Sequence, residues 1–194
     1  MYVLLSLSFL TVSIIIERLI ALIKRREDLA GLFKQVGKLA KAGDISEAKK
    51  ICNSRHSSLS RVLVKGLKEW TRPIDEINSA IEEQVQNEVE LAEENLSLLA
   101  AVAQSAPLLG LLGTILGMIE AFRKLEEMGG RVDTSALAGG IWEALLTTAF
   151  GLIIAIVAMF THQFFDEGCN RLNRRLRNAT SWFMKLRKEN GESF

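Results

Sequence analysis

Residues 98–122, LLAAVAQSAPLLGLLGTILGMIEAF, and residues 140–160, GIWEALLTTAFGLIIAIVAMF, decide the fold. Each carries one charged residue, Glu120 and Glu143, close to an end. Each has about the 20 residues that a helix needs to cross some 30 Å of hydrocarbon. A third apolar run covers Tyr2 to Ile16 and continues after Glu17-Arg18 through Leu19 to Ile23. Its basic cluster, Lys24-Arg25-Arg26, follows the run, whereas a signal peptide carries its charge ahead of the apolar core. The run therefore reads as a retained anchor, and a short outer tail ahead of it is compatible with this start.

Over the whole chain 48% of residues are hydrophobic and 24% charged, an ordinary balance until positions are compared. The charges avoid the three runs and crowd into the rest. A bilayer imposes that segregation, because an unpaired charge in hydrocarbon is costly. The bias of Lys and Arg towards the cytoplasm orients the spans. It puts the tail with Arg171, Arg174, Arg175, Arg177, Lys185, Arg187 and Lys188 inside, and it puts the link with Glu126, Glu127, Gly129-Gly130 and Asp133 outside.

The fold class expected is all-α: a polytopic membrane protein with three transmembrane helices, two of them extended well into the cytoplasm. The expected order is transmembrane helix 1–23, cytoplasmic helical domain 24–97, transmembrane helix 98–122, periplasmic link 123–139, transmembrane helix 140–163 and cytoplasmic C-terminal helix 164–194. The amino terminus is outside and the carboxyl terminus inside.

Several function classes have no support. A net charge of +1, with no basic patch interleaved with aromatics, gives no reason to expect nucleic acid. Cys52 and Cys169 lie far apart without CxxC or Cys/His spacing and read as buried thiols, so no metal or cofactor is expected. No nucleophile/base constellation or phosphate loop points to an enzyme.

Between Lys24 and Leu98 the pattern is helical. Gly43 followed by Asp44, with Glu47 three residues on, reads as a helix stop and a new start. His56-Ser57-Ser58 reads as a break, and Pro73 opens another helix with Asp75 and Glu76 at its positive end. Ile74, Ile77, Ile81, Val85, Val89, Ala92, Leu96 and Leu99 form an apolar stripe that runs without a breaker into the second span. One helix from 74 to 122 would be about 70 Å long. The third span continues likewise through Phe165, Cys169, Leu172, Leu176, Ala179, Phe183 and Leu186. Two readings stand for the charges flanking these spans. Glu82, Glu83, Glu88, Glu90, Glu93 and Glu94 pair with Arg171, Arg174, Arg175 and Arg177 across the two extensions, or both sets are solvated faces with little coupling.

On helical wheels the small residues of the second span, Ala103, Ala106, Gly110, Gly113, Thr114, Gly117 and Ala121, share one side. So do Gly140, Ala144, Thr147, Thr148, Gly151, Ala155, Ala158 and His162 in the third. Such stripes serve close helix packing, as in Gly113-xxx-Gly117, or face a cavity or a narrow partner helix. Thr114 and Thr148 fall at similar depth. Glu143 lies one turn before Thr147 and about 40° round from it, and an intramembrane carboxylate is a functional candidate by default. No Asp, Glu, Lys or Arg occupies mid-span in either helix. Threonine does not titrate near neutral pH, so a proton relay needs a carboxylate from another subunit.

Residues 106–114 (APLLGLLGT) through Gly117, residues 140–151 (GIWEALLTTAFG) and Ile16-Glu17-Arg18-Leu19 resemble the bacterial ExbB/TolQ/MotA proton-channel family, in its three-span ExbB/TolQ branch. The resemblance covers nearly the whole chain in order. It implies a homo-oligomer, a pentamer, whose second and third spans form an oligomeric pore. It implies an ExbD/TolR-like single-span partner, a dimer in the pore, whose membrane Asp supplies the missing acid, and a TonB- or TolA-like protein that carries work to the outer membrane. By the same resemblance Thr114, Thr148 and Glu143 line the ion pathway, and the wheel places Thr147 beside them. From the wheel stripes, Gly110, Gly113, Gly117, Ala144, Gly151 and Ala155 are the expected packing and pore small residues, and the resemblance implies the bacterial inner membrane. Two other readings use the same scaffold: a stator of another motility or envelope machine, and a non-conducting membrane scaffold.

Overall fold

The computed structural model describes residues 2–24, 29–55, 57–127 and 134–191. Arg25, Arg26, His56, Gly129-Gly130 and Asp133, which entered the sequence reading, lie outside the described residues. Among the described residues the chain is all-helical, with seven helices and no strand. Three helical stretches are long and apolar enough to cross a membrane, with their spans inside Val3–Ile20, Ile74–Glu127 and Leu137–Asn190. The chain is a multi-pass membrane protein. It divides into two units, one of residues 1–19 and 95–166, the other of residues 20–94 and 167–194.

The first unit holds most of α1 (Tyr2–Lys24), α6 (Leu96–Glu127) and the first part of α7 (Thr134–Gly191). α1 buries Leu4, Thr11, Ile14 and Arg18 on one side. The buried Thr11 hydroxyl donates to the Leu7 carbonyl at 2.8 Å, which satisfies it inside its own helix. Leu99, Val102 and Ala158 are buried together, with Leu7, Ala103 and Ile154 packed against them. Large apolar side chains elsewhere on these helices, among them Leu108, Ile119, Trp142 and Phe160, are exposed, as bilayer contact requires.

α6 runs on to Glu127 and α7 begins at Thr134, so helix occupies much of the expected link. Arg123 pairs with Glu120 at 2.8 Å and Glu127 at 3.8 Å, and this i,i+3 and i,i+4 spacing supports the end of α6. Pro107 sits inside α6. Its missing N–H frees one carbonyl in the preceding turn, and close neighbouring helices make that tolerable in a membrane.

The second unit contains α2 (Leu29–Lys41), α3 (Ile45–Asn53), α4 (Ser58–Lys68), α5 (Ile74–Glu93) and the rest of α7. α2 stops where Gly43 takes φ +81°, a conformation that glycine adopts without strain. Asp44 caps α3 by accepting the Glu47 N–H at 3.0 Å, as its spacing predicts. Ser57 caps α4 through the Ser60 N–H at 3.1 Å. Leu32, Val36, Leu63, Leu67, Ile77, Ile81 and Phe183 form the core, each at most 1% exposed. Phe33 and Trp182 meet edge-on at 4.8 Å, and Trp70 and Phe183 do so at 5.5 Å.

Both expected stripes are largely buried, with Leu172 half-buried. Phe165, Cys169, Leu176, Ala179, Phe183 and Leu186 are each at most 7% exposed on an uninterrupted α7. Of the stripe residues on α5 only Ile74, at the helix start, is exposed. The expectation of one helix from 74 to 122 is corrected. α5 ends at Glu93, Glu94 is extended with ψ 137°, Asn95 is left-handed with φ 62°, and α6 starts at Leu96. Asn is the non-glycine residue that best tolerates this conformation, and its side chain donates to Glu17 of α1 at 3.1 Å.

The acids of α5 and the bases of α7 do not pair with one another in the described ion pairs. Glu83 reaches Lys65 of α4 at 3.5 Å, and Arg174 pairs with Glu167 on its own helix at 3.1 Å. Glu88 is buried and meets Arg61 of α4 through both carboxylate oxygens, while Gln84 donates to it at 3.0 Å. Burial opposes ionisation of Glu88. The hydrogen bonds from Arg61, Ser58 and Gln84 and the Arg61 charge outweigh it and hold the carboxyl below its ordinary 4.5.

The Glu88 carboxylate therefore contributes stability that is fully present above about pH 4.5 and is lost as pH falls through the lowered value. Glu88→Gln should destabilise the chain by about 2–3 kcal/mol, less than for a fully buried pair because Arg61 is half-exposed. It should also flatten the acid limb of stability against pH. Denaturant unfolding in mild detergent, followed by tryptophan fluorescence at several pH values, measures both effects.

Candidate functional site in the membrane helices

The small residues of α6 and α7 meet each other in antiparallel order. A Cβ placed on Gly140 would lie 2.9 Å from the Ala121 Cβ, and one on Gly117 would lie 2.9 Å from the Ala144 Cβ. One on Gly113 would meet the Thr147 Oγ1 at 2.6 Å, and one on Gly110 the Thr148 Cα at 3.0 Å. At Gly151 it would sit 2.6 Å from the Ala106 carbonyl oxygen and 3.0 Å from the Gly110 Cα. Backbone therefore approaches backbone around Gly110 and Gly151, which only glycine permits at both positions. Ala144 and Ala155 are buried as well.

The hydroxyls next to this contact have a fixed polarity. Thr148 Oγ1 lies 2.9 Å from the Gly110 carbonyl oxygen, across to the other helix. Thr147 Oγ1 lies 2.7 Å from the Ala144 carbonyl oxygen and 3.4 Å from that of Gly110. Thr114 Oγ1 lies 2.7 Å from the Leu111 carbonyl oxygen. A carbonyl only accepts, so each threonine is the donor, and its one hydroxyl proton is committed. What remains on each hydroxyl is acceptor capacity. Such oxygens can receive a hydrogen bond from a water, a hydronium or a protonated carboxyl, or coordinate a cation. Each could turn its proton to an ionised carboxylate only by giving up its bond to the backbone carbonyl.

Thr147 and Thr148 are brought together on α7 and joined to Gly110 of α6. Thr114 is half-buried and lines a shallow groove of about 640 Å³ with Ile115, Met118, Ile119, Phe122, Arg123 and Glu126. Glu143 is exposed, next to the Gly117–Ala144 contact. Asn95 and its bond to Glu17 escaped the sequence reading, although an Asn between two helical runs is a known signal for a left-handed turn.

Residues 54–178 match the model of the MotA/TolQ/ExbB proton channel family. The chain belongs to that family. It is 36% identical over 123 residues to a putative biopolymer transport protein ExbB-like 1 of Synechocystis sp., covering 62% of this chain and 46% of that protein. It is 37% identical over 91 residues to the biopolymer transport protein ExbB of Xanthomonas campestris pv. campestris, covering 47% of this chain and 36% of that protein. A putative ExbB-like 3 of Synechocystis sp. is 31% identical over 160 residues, with 80% and 75% covered. The chain thus spans about half or less of the first two relatives. Its three apolar helices fit the three-span branch of the family.

The packing geometry yields an ordered series of substitutions. Gly151→Ala pushes a methyl against backbone and should destabilise the α6/α7 pair by about 2 kcal/mol. Gly113→Ala meets a side chain that can shift and should cost less. At Gly168, where a Cβ would meet nothing within 4 Å, alanine should be neutral or stabilising by up to about 1 kcal/mol. Thermal unfolding in detergent ranks the three.

Proposed function

We propose that the chain is the ion-conducting, proton-translocating subunit of an inner-membrane motor of the ExbB/TolQ kind, which couples the proton-motive force to work at the outer membrane. The observation that carries this reading is the set of threonines, their hydroxyls bonded to backbone carbonyls, beside a glycine contact on spans with no titratable group at mid-depth. In this reading copies of the chain, five by family resemblance, surround a single-span ExbD/TolR-like partner whose membrane helix carries an Asp. Spans two and three face that partner. The amino terminus is periplasmic and the carboxyl terminus cytoplasmic.

Physical chemistry then constrains the cycle. An ionised carboxylate at the level of Thr148 would have no cation on these spans to pair with and would gain a donor only by breaking a threonine–carbonyl bond, so it would be disfavoured. The partner's acid passes that level protonated, its O–H received by the threonine oxygens, and gives the proton up towards the cytoplasm. Glu143, towards the outer end of α7, is the entry-side carboxylate. The same acceptors suit a sodium ion. A TonB- or TolA-like protein receives the resulting motion.

A non-conducting scaffold is the second reading, favoured by one observation: the glycines and alanines of the two helices occupy each other. Thr148→Val and Glu143→Ala, in complexes reconstituted with the single-span partner, separate the two. The channel reading expects ion flux to fall by roughly tenfold for Thr148→Val, about the worth of one hydrogen bond, and also to fall for Glu143→Ala, with assembly intact. Unchanged flux in both variants removes these residues from the pathway.

A further inference from the structure

Gln104 is a polar side chain in the second span that the packing of α6 on α7 does not use. It is exposed, and its amide makes no hydrogen bond among the described residues. Leu108, Leu111 and Ile115 lie within about 40° of it around the helix. They are 66%, 53% and 49% exposed. Ala106 and Gly113, which meet α7, are on the opposite side. Outward, the same exposed face runs through Ile115 and Met118 into the groove that Thr114 lines. An amide left unmet in hydrocarbon is costly, so a polar group of another chain belongs against this face.

The threonines and Gln104 differ in what they can give. Thr114, Thr147 and Thr148 hold their protons on backbone carbonyls. The Gln104 amide has two N–H donors and can offer either without breaking a bond within this chain. On the channel reading above, we propose that Gln104 receives the carboxylate of the single-span partner once that acid has lost its proton. Thr148 is level with Gly110, so Gln104 lies about 9 Å inward of the threonine level along α6. There the carboxyl O–H breaks, the proton passes to water on the cytoplasmic side, and the electron pair stays on the carboxylate. The carboxylate then accepts a hydrogen bond from Gln104 Nε2, which favours the ionised form. The neutral acid is received by threonine oxygens and the anion by the amide. The two protonation states of one acid therefore rest at different depths on α6, which ties proton release to movement of the partner.

The test uses the full chain reconstituted in lipid with the single-span partner, only the partner carrying 13C-labelled aspartate. Solid-state NMR follows the carboxyl shift of its membrane Asp against pH, and a pH-sensitive dye follows proton flux. Gln104→Leu removes the amide at similar volume. It should raise the pH at which that Asp ionises by about one unit, the worth of one hydrogen bond to a charged group. Flux at neutral pH should fall by about tenfold, with the partner still bound. Gln104→Asn keeps an amide and should stay closer to the wild type in both measurements. An unchanged Asp titration in Gln104→Leu, in a complex that conducts, overturns the proposal and leaves the channel reading standing. Loss of the partner, or of the chain's own oligomer, in Gln104→Leu makes the amide an assembly contact and overturns the proposal too. A wild-type complex without flux overturns the channel reading and this proposal with it.

Discussion

The approach of backbone to backbone at Gly110 and Gly151 is the constraint on which the membrane part depends. It lets Thr148 reach the Gly110 carbonyl on the facing helix, and that bond fixes which way the hydroxyl points. In hydrocarbon no hydrophobic force draws helices together, so association rests on van der Waals contact and on such bonds. One geometry therefore sets both the packing and the chemistry. Larger residues at either glycine would part the helices and release the threonine proton.

The second unit is built on different terms. Its core is an ordinary aliphatic and aromatic one, with Phe183 of α7 filled in by Ile81 and by the glycine at position 66, where a Cβ would lie 2.7 Å from Ile81. Glu88 is the exception, an acid on the buried face between Val85 and Val89. It is tolerated because Arg61, Ser58 and Gln84 together outweigh the loss of water. The thiol of Cys52, buried in the same core, is pushed up to about 11 by desolvation, which fits a packing role.

Much of this was legible in the residues. The three apolar runs, the helix stop at Gly43 with its Asp44 cap, and the buried stripe from Phe165 to Leu186 all follow from periodicity and capping rules. The break at Glu94–Asn95 was masked: Asn95 is a local signal for a left-handed turn, but the apolar stripe keeps helical spacing past it and the Glu17 acceptor is on a different helix. Glu88 was hidden among exposed acids, since nothing local distinguishes it except its place in the stripe. The glycine and threonine positions were visible, but close packing and cavity lining call for the same small side chains, so only geometry showed Gly113, Gly117 and Gly151 against Thr147, Ala144 and Ala106.

The proposed function implies a division of labour, in which this chain supplies hydrogen-bonding threonines at mid-membrane and a partner supplies the acid. Proton uptake into liposomes containing the chain alone, compared with liposomes that also hold an acid-bearing single-span partner, measures that division directly. Flux only with the partner present is the predicted result; equal flux from the chain alone would contradict it.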